Sequence, residues 1–553
     1  MTYKLFILGF VTLLGACSGS EQVTTINESP SVSTPSADIM DFVDTITQEG
    51  LRADLTVLSH DSLQGRDTGT DGLKKAARYI AKRYAEIGLE PVGDNGTYFQ
   101  KVDFDQNSTN SRTYTVTDTE GNLISETTHS KNDVADYNTF GGGANSATGD
   151  IVFVGAGIVN EANGVNHFAE DMSGKWLLMF FQQGVTNFGI VQRTIAQSNA
   201  LGALLIIDTP ERYAELAEGA KVAFGNPQGF QLSYLADGNN QGGGTMFARV
   251  KPAHAADLLG VNGAEELDAL KDNIFESPAD FSARETGMAL AYNPDRTGSV
   301  LSSKNIVAFL EGSDPLLKDE VVVISSHYDH VGIGQPDSTG DNIYNGADDD
   351  GSGTAGLMHI AQAMVAAKEA GAGPKRSVLF LHVTAEEKGL LGSRYYSDHP
   401  IYPIDKTVAN VNVDMIGRID NEYTAKNDGD YIYLIGGEII SSGLDKMVRE
   451  ANAETSNLEL SKRYNDLNDP NQFYRRSDHW NFGRLGVPFL FFFNGVHPDY
   501  HQPGDEIDKI EFEPFQKRTQ LIYAFTAKIA DTDERPIVDN QDFIEVTRTQ
   551  ARN

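Results

Sequence analysis

Four short runs of apolar residues recur in the second half of the chain: Glu320-Val321-Val322-Val323-Ile324, Ser377 to Val383, Val408 to Val413 and Val487 to Phe493. Each is too short for a helix and rich in large apolar residues. They predict strands buried on both faces of a parallel sheet. Between the first two, Leu357, Ile360, Ala361, Met364 and Val365 recur at helical spacing after Gly351-Ser352-Gly353. Alternating strand and helix signals continue from Ser302 to about residue 532. Earlier, Leu73 to Gly88 carries Ala77, Ile80, Ala81, Tyr84 and Ile87 on one stripe, with Gly88 placed to end the helix in a left-handed conformation. A glycine-rich turn, Leu63 to Thr70, precedes it.

Between residues 132 and 297 the texture differs. Shorter runs (Ile151–Val154, Trp176–Phe181, Ala203–Ile207) sit among glycine-rich links at 141–143 and 242–244. This stretch is expected to be a separate α/β or mostly β module inserted into the main domain, which would then comprise residues 39–131 and 298–535. A polar tail, 536–553, follows.

The 553 residues suffice for more than one domain with a large core. A formal net charge of −34 argues against nucleic acid, whose phosphates would be repelled. The first 16 residues have a basic end at Lys4, a short apolar stretch from Leu5 to Leu14 and small residues before Cys17, the only cysteine. That pattern describes an export signal too short to span a bilayer. It resembles the bacterial lipoprotein signal, in which the cysteine becomes the lipidated first residue. A lone cysteine also has no disulfide role. Residues 17–38, rich in Ser, Thr and Pro, read as a flexible tether. The expectation is an exported lipoprotein of the cell envelope, periplasmic or anchored to the outer membrane, touching the membrane only through its lipid.

The chemistry gathers where the apolar runs stop, since ligands of open α/β sheets sit beyond the carboxyl ends of strands. The first run leads to His327 and Asp329, a spacing that suits a metal ligand and a carboxylate holding its other ring nitrogen. Asp348-Asp349-Asp350 follows. Three adjacent carboxylates are either a solvated turn or a cation site. The second run ends at Glu386-Glu387, of which one can bind metal and the other accept a proton from water. His382, inside that run, reads as a buried, hydrogen-bonded histidine. The third run delivers Asp414, and the fourth precedes Tyr500-His501, a hydroxyl donor and a ligand; His497 is a weaker competitor for that role. Arg476-Ser477-Asp478-His479 is expected to line or buttress the pocket, and Arg418 to brace a loop rather than bind a carboxylate. Convergence of four strand ends on such groups points to two divalent ions, about 3.5–4 Å apart, sharing one carboxylate.

These pieces, His327-Tyr328-Asp329, Gly346 to Gly353, Glu386 to Ser393, Asn412 to Gly417 and Tyr500 to Asp505, resemble the M28 family of zinc peptidases in order and spacing. The resemblance spans about Leu51 to Ala530 apart from the insert. The insert itself resembles a protease-associated (PA) domain through Gly174 to Met179 and Ala200 to Ile206. The resemblance implies a three-layer α/β zinc-exopeptidase fold with a central mixed, mostly parallel sheet, plus an inserted PA-like domain. It further implies two Zn²⁺ per chain. His327 and Asp414 would hold one, Glu387 and His501 the other, and Asp349 would bridge them. Glu386 would be the general base, Tyr500 would stabilise the tetrahedral intermediate, and Asp329 would support catalysis. Asp348 stands where many relatives have asparagine, adding a negative charge beside the metals.

The implied activity is release of N-terminal residues from peptides. Alternatives are a carboxypeptidase or dipeptidase on the same scaffold, or a non-catalytic surface homologue. The last would be expected to lack a ligand or the base, and no such gap is present. No Gly-X-Ser-X-Gly supports a serine hydrolase, and the Asp337–Asp350 spacing does not fit an EF-hand.

Overall fold

The computed structural model describes residues 37–130, 136–140, 145–160, 164–168, 171–182, 188–221, 227–236 and 246–550. The export signal, Cys17, nearly all of the tether and the two glycine-rich links lie outside these. Among the described residues no helix is long and apolar enough to cross a membrane.

All four apolar runs are strands, and they are neighbours. Phe489–Phe493, Thr407–Val413, Val321–His327 and Ser377–Val383 lie side by side in that order, each pair parallel. Every residue of the four is buried, the polar Asn410 and Asn412 included, so both faces of these strands are covered. Tyr431–Gly436 adds antiparallel on the far side of Phe489–Phe493. The last five residues of the long strand Arg284–Leu310 add antiparallel beside Ser377–Val383. The sheet is therefore mixed and mostly parallel, with the four central strands ending at one edge.

Alternate side chains of these strands enter two different cores. Val322, Ile324, Val378, Phe380, Val411 and Phe492 meet the helices Gln48–Leu58, Asp71–Ile87, Gly353–Glu369, Ser442–Glu454 and Phe512–Asp531. Val321, Val323, Leu379 and Leu381 meet Tyr396 and Phe482 from the short helices Leu391–Asp398 and His479–Gly483. This gives helix, sheet and helix layers, as expected. The helix Asp71–Ile87 ends at Gly88 with φ 91°, as its sequence predicts.

The segment expected as an insert forms its own core, and that core reaches further than 132–297. It takes in Tyr114 and Val116, because the 20-residue strand Phe99–Asp118 runs out of the peptidase half and into this unit. It pairs along its length with Arg284–Leu310, so two long strands join the halves. Within the unit, Ala147–Phe153, Trp176–Phe181, Gly202–Ile207 and Met246–Val250 form a parallel set. The expected polar tail is also more structured than its composition suggests. It contains the helix Gln541–Gln550, whose Phe543 is fully buried against Phe489.

Candidate metal centre

Two loops after the parallel strands must be held against each other to bring His327 near the aspartate triplet. Arg66, in the early glycine-rich turn, does this. Fully buried, it donates to the carbonyls of Tyr328 (3.0 Å), Asn345 (2.7 Å), Gly346 (2.9 Å) and Leu58 (2.6 Å). Thr68 of the same turn donates to Asp329 Oδ2 at 3.0 Å.

The triplet divides its labour. Asp350 accepts main-chain N–H groups from His327 (3.2 Å), Gly353 (2.9 Å) and Met415 (3.0 Å), tying two strand ends to the start of the helix Gly353–Glu369. Asp348 turns away from the pocket. It accepts from the Gly417 N–H (2.6 Å), Ser352 Oγ (2.9 Å) and Asn494 Nδ2 (2.7 Å), and lies 3.3 Å from His497 Nε2. Burial works against its charge, but His497 and these donors hold it below the usual carboxylate range. The extra charge expected beside the metals is thus absorbed elsewhere, and His497 with it. The N–H groups of Asp348 and Asp349 both donate to Asp505 Oδ2 at 3.0 Å, which fixes the loop.

Asp349 alone faces the pocket, and its two oxygens face different groups. Oδ1 lies 3.2 Å from His327 Nε2, which in turn lies 3.5 Å from Asp414 Oδ1. Oδ2 lies 3.1 Å from His501 Nε2, which is 3.1 Å from Glu387 Oε1. His330 joins this second group, with Nδ1 2.9 Å from Glu387 Oε1. Two donor sets result: His327, Asp349 and Asp414; and His330, Asp349, Glu387 and His501. All five expected ligands are brought together. His330 was not foreseen, although its position three residues after His327 was a signal.

These residues fit divalent ions. Asp349 Oδ2 is buried and close to imidazole nitrogens, yet takes part in no aligned hydrogen bond. Buried carboxylates crowd one another here, and imidazole with carboxylate is the donor chemistry of zinc and similar metals. Burial opposes the charges of both Glu387 and His501, but their mutual attraction wins. Neighbouring His330 and His501 bring Glu387 down to about 2, and Asp349 with Glu387 raises His501 to about 10.

Around the ligands, Asp414 Oδ2 accepts from Ser477 Oγ at 2.7 Å, so the Arg476–His479 segment does buttress the site. His479 is structural: it is buried, its Nε2 is 3.1 Å from the Phe473 carbonyl, and burial lowers it to about 3. His382 is equally structural, held between Tyr84 Oη (2.5 Å) and Ser326 Oγ (2.8 Å). Arg418 braces, pairing with Asp499 (2.8 Å) and Asp505 (3.4 Å).

Asp329 departs from expectation in detail. The free ring nitrogen of His327 faces the Asp329 main-chain carbonyl at 3.0 Å, while its carboxylate is 3.9 Å away. The carboxylate instead accepts the Glu386 N–H at 3.1 Å, positioning the residue expected to be the base. Burial, and then the charges of Glu387, Asp478 and Asp414, push Glu386 well above the carboxylate range against a pull from His327. Tyr500 stacks on His501 with ring centroids 3.9 Å apart, and burial raises its phenol. The resulting cleft is lined by His327, Glu386 and Asp414 together with the apolar side chains of Met415, Phe473, Phe491 and Phe493.

The profile of peptidase family M28 matches residues 305–526. That segment is a peptidase family M28 domain. The chain is 24% identical over 383 residues to the aminopeptidase YwaD of Bacillus subtilis, covering 64% of this chain and 76% of that one. It is 25% identical over 221 residues to a probable leucine aminopeptidase of Arthroderma benhamiae, of which it spans about half (56%). The solved aminopeptidase from Aneurinibacillus sp. strain AM-1 shares the fold at 19% identity, with a TM-score of 0.52 over 90% of this chain and 98% of that one.

Proposed function

We propose that this M28 enzyme is a co-catalytic, two-zinc aminopeptidase. The observation that carries the reading is Asp349, a single buried carboxylate presenting one oxygen to each of two donor sets. His327 and Asp414 would hold one ion, Glu387 and His501 the other, with Asp349 common to both. When bound, such ions supply Lewis acidity, polarising the scissile carbonyl and acidifying the attacking water.

The chain's own residues do the rest. Glu386 belongs to neither donor set, and its main chain is fixed by Asp329, so its carboxylate is free to accept a proton from the attacking water. Its raised proton affinity suits it to return that proton to the leaving amine. Tyr500, with its phenol held neutral, donates a hydrogen bond to the oxygen on which charge develops. Met415, Phe473, Phe491 and Phe493 offer an apolar surface to the substrate side chain. The names of the relatives support peptide N-termini as substrate.

A panel of aminoacyl-coumarin substrates and N-acetylated peptides, run with and without chelator, tests this. Cleavage of free but not acetylated N-termini, abolished by chelator, is expected. Equal cleavage of acetylated peptides would instead support a carboxypeptidase. We also propose that Cys17 carries a lipid anchoring the enzyme to the cell envelope, and that the second core is a PA-like module. Retention of palmitate label in a Cys17→Ser chain would refute the anchor.

A further inference from the structure

His330 is fully buried, and among the described residues the acidic groups that its ring meets are the Glu387 and Asp349 carboxylates. Its Nε2 is buried without a hydrogen-bond partner among the described residues. Its place is nevertheless enforced. The His330 N–H donates to the Arg66 carbonyl at 3.2 Å, and Gly346, at φ 57°, passes so close that a Cβ there would lie 2.5 Å from His330 Cδ2. Only glycine permits that approach. A ring packed this firmly against two metal-type carboxylates is built into the site rather than incidental to it.

Resting on the two-ion reading above, we propose that His330 Nδ1 is a fourth protein donor to the ion held by Asp349, Glu387 and His501, making the two sites unequal. Donors at zinc distances of about 2.0–2.1 Å around a tetrahedral ion stand about 3.3–3.4 Å apart. The separations here, 2.9 and 3.7 Å from His330 Nδ1 and 3.1 and 3.1 Å from His501 Nε2, bracket that edge. The other set offers three donors, His327, Asp349 and Asp414. A site with four protein donors is closed, whereas one with three keeps a position for substrate or water. The His330 site therefore fills first and holds its ion through turnover. The His327 site is the weaker and exchangeable one, and it is the one that opens to substrate.

Metal binding tests this without reference to activity. Metal-stripped protein is titrated with Zn²⁺ against a chromogenic chelator, and X-ray absorption counts imidazoles on the sample holding one equivalent. The expected result is two binding steps, the first at least tenfold tighter, with two imidazoles on the first ion. Loss of a ligand and loss of a hydrogen bond to a ligand can both weaken binding 10–100-fold. The discriminating variant is therefore His330→Asn, whose amide can still donate to Glu387 but offers no imidazole nitrogen. In His330→Asn, and in His330→Ala where it folds by circular dichroism, the first step should weaken at least tenfold and the imidazole count fall to one. One imidazole on the first ion of the unaltered protein, or unchanged affinity in His330→Asn, overturns the inference while leaving two ions in place. Fewer than two ions at saturation would overturn the two-ion reading itself.

Discussion

Replacing Glu386 with glutamine removes a proton acceptor and nothing else that the site can be seen to need. The side chain keeps its length, and the main-chain N–H that donates to Asp329 Oδ1 at 3.1 Å is untouched. Glu386 is in neither donor set, so two ions should still bind. A positioned general base contributes about 10²–10⁴-fold, which corresponds to a barrier increase of about 3–5 kcal/mol at roughly 1.4 kcal/mol per tenfold. The upper part of that range is expected, because burial and three neighbouring carboxylates raise the proton affinity of Glu386. The assay is kcat and KM on a leucyl-coumarin substrate, alongside metal content by mass spectrometry. The acid limb of the kcat/KM profile should vanish with the carboxylate. A variant that holds two ions and turns over within tenfold of the parent would refute the assignment, whatever its KM. Loss of metal together with activity would show that Glu386 is a ligand instead.

The shared carboxylate gives a sharper contrast: Asp349→Ala should abolish binding of both ions, whereas Asp414→Asn should weaken one, read by the same titration. Metal-stripped protein should lose thermal stability as pH rises from about 6.5 to 10. The His501 pKa is raised by folding, so its contribution is complete below the unfolded value of roughly 6.5 and is lost as pH passes through about 10. Scanning calorimetry should find this slope absent from the metal-loaded enzyme, where the imidazole cannot take a proton. Arg66→Met strands carbonyls now bonded to a buried guanidinium and should cost about 3 kcal/mol or more in chemical denaturation, with metal affinity falling in parallel. Leu232→Ala should lower kcat without changing metal content, because Leu232 is buried in one cluster with Ala385, the residue before Glu386. Unchanged kcat there would mean the second unit does not support the catalytic loop.

The central sheet was legible because strands buried on both faces are dominated by large apolar residues, and so stand out as short runs rich in Val, Leu, Ile and Phe. The ligands were legible for a related reason. His327, Glu387 and Asp414 sit at or just after such runs, where an ionisable side chain has no reason to follow unless the sheet edge uses it. The boundary of the second unit was not, since Phe99–Asp118 is one continuous strand that alternates buried and more exposed positions on both sides of residues 107–111 as it passes from one core to the other. The aspartate triplet was resolved only by the family resemblance, which singled out Asp349; the pattern of the residues themselves does not separate the three. Which carboxylate faces the pocket depends on Gly417, Asn494 and Asp505, residues that are distant in sequence and whose only shared property is a hydrogen bond.

His330 shows what separates these cases. It lies beyond the end of its strand, in a loop whose path is set by Arg66, 262 positions before Tyr328, and by the one glycine, Gly346, that lets the ring in. A strand fixes its side chains by alternation, so periodicity reports where they point. A loop fixes them by the hydrogen bonds it receives, and these leave no period to read. The residues that set the chemistry of this centre therefore divide by what holds them. Those held by the sheet were visible as a pattern, whereas Asp349, held by Asp505, was reached only through the family resemblance and His330, held by Arg66, only once the chain had closed around it. That division also predicts where relatives with the same fold can differ in metal affinity: at loop positions such as 330 and 346, which can change without disturbing the strands that carry the common ligands.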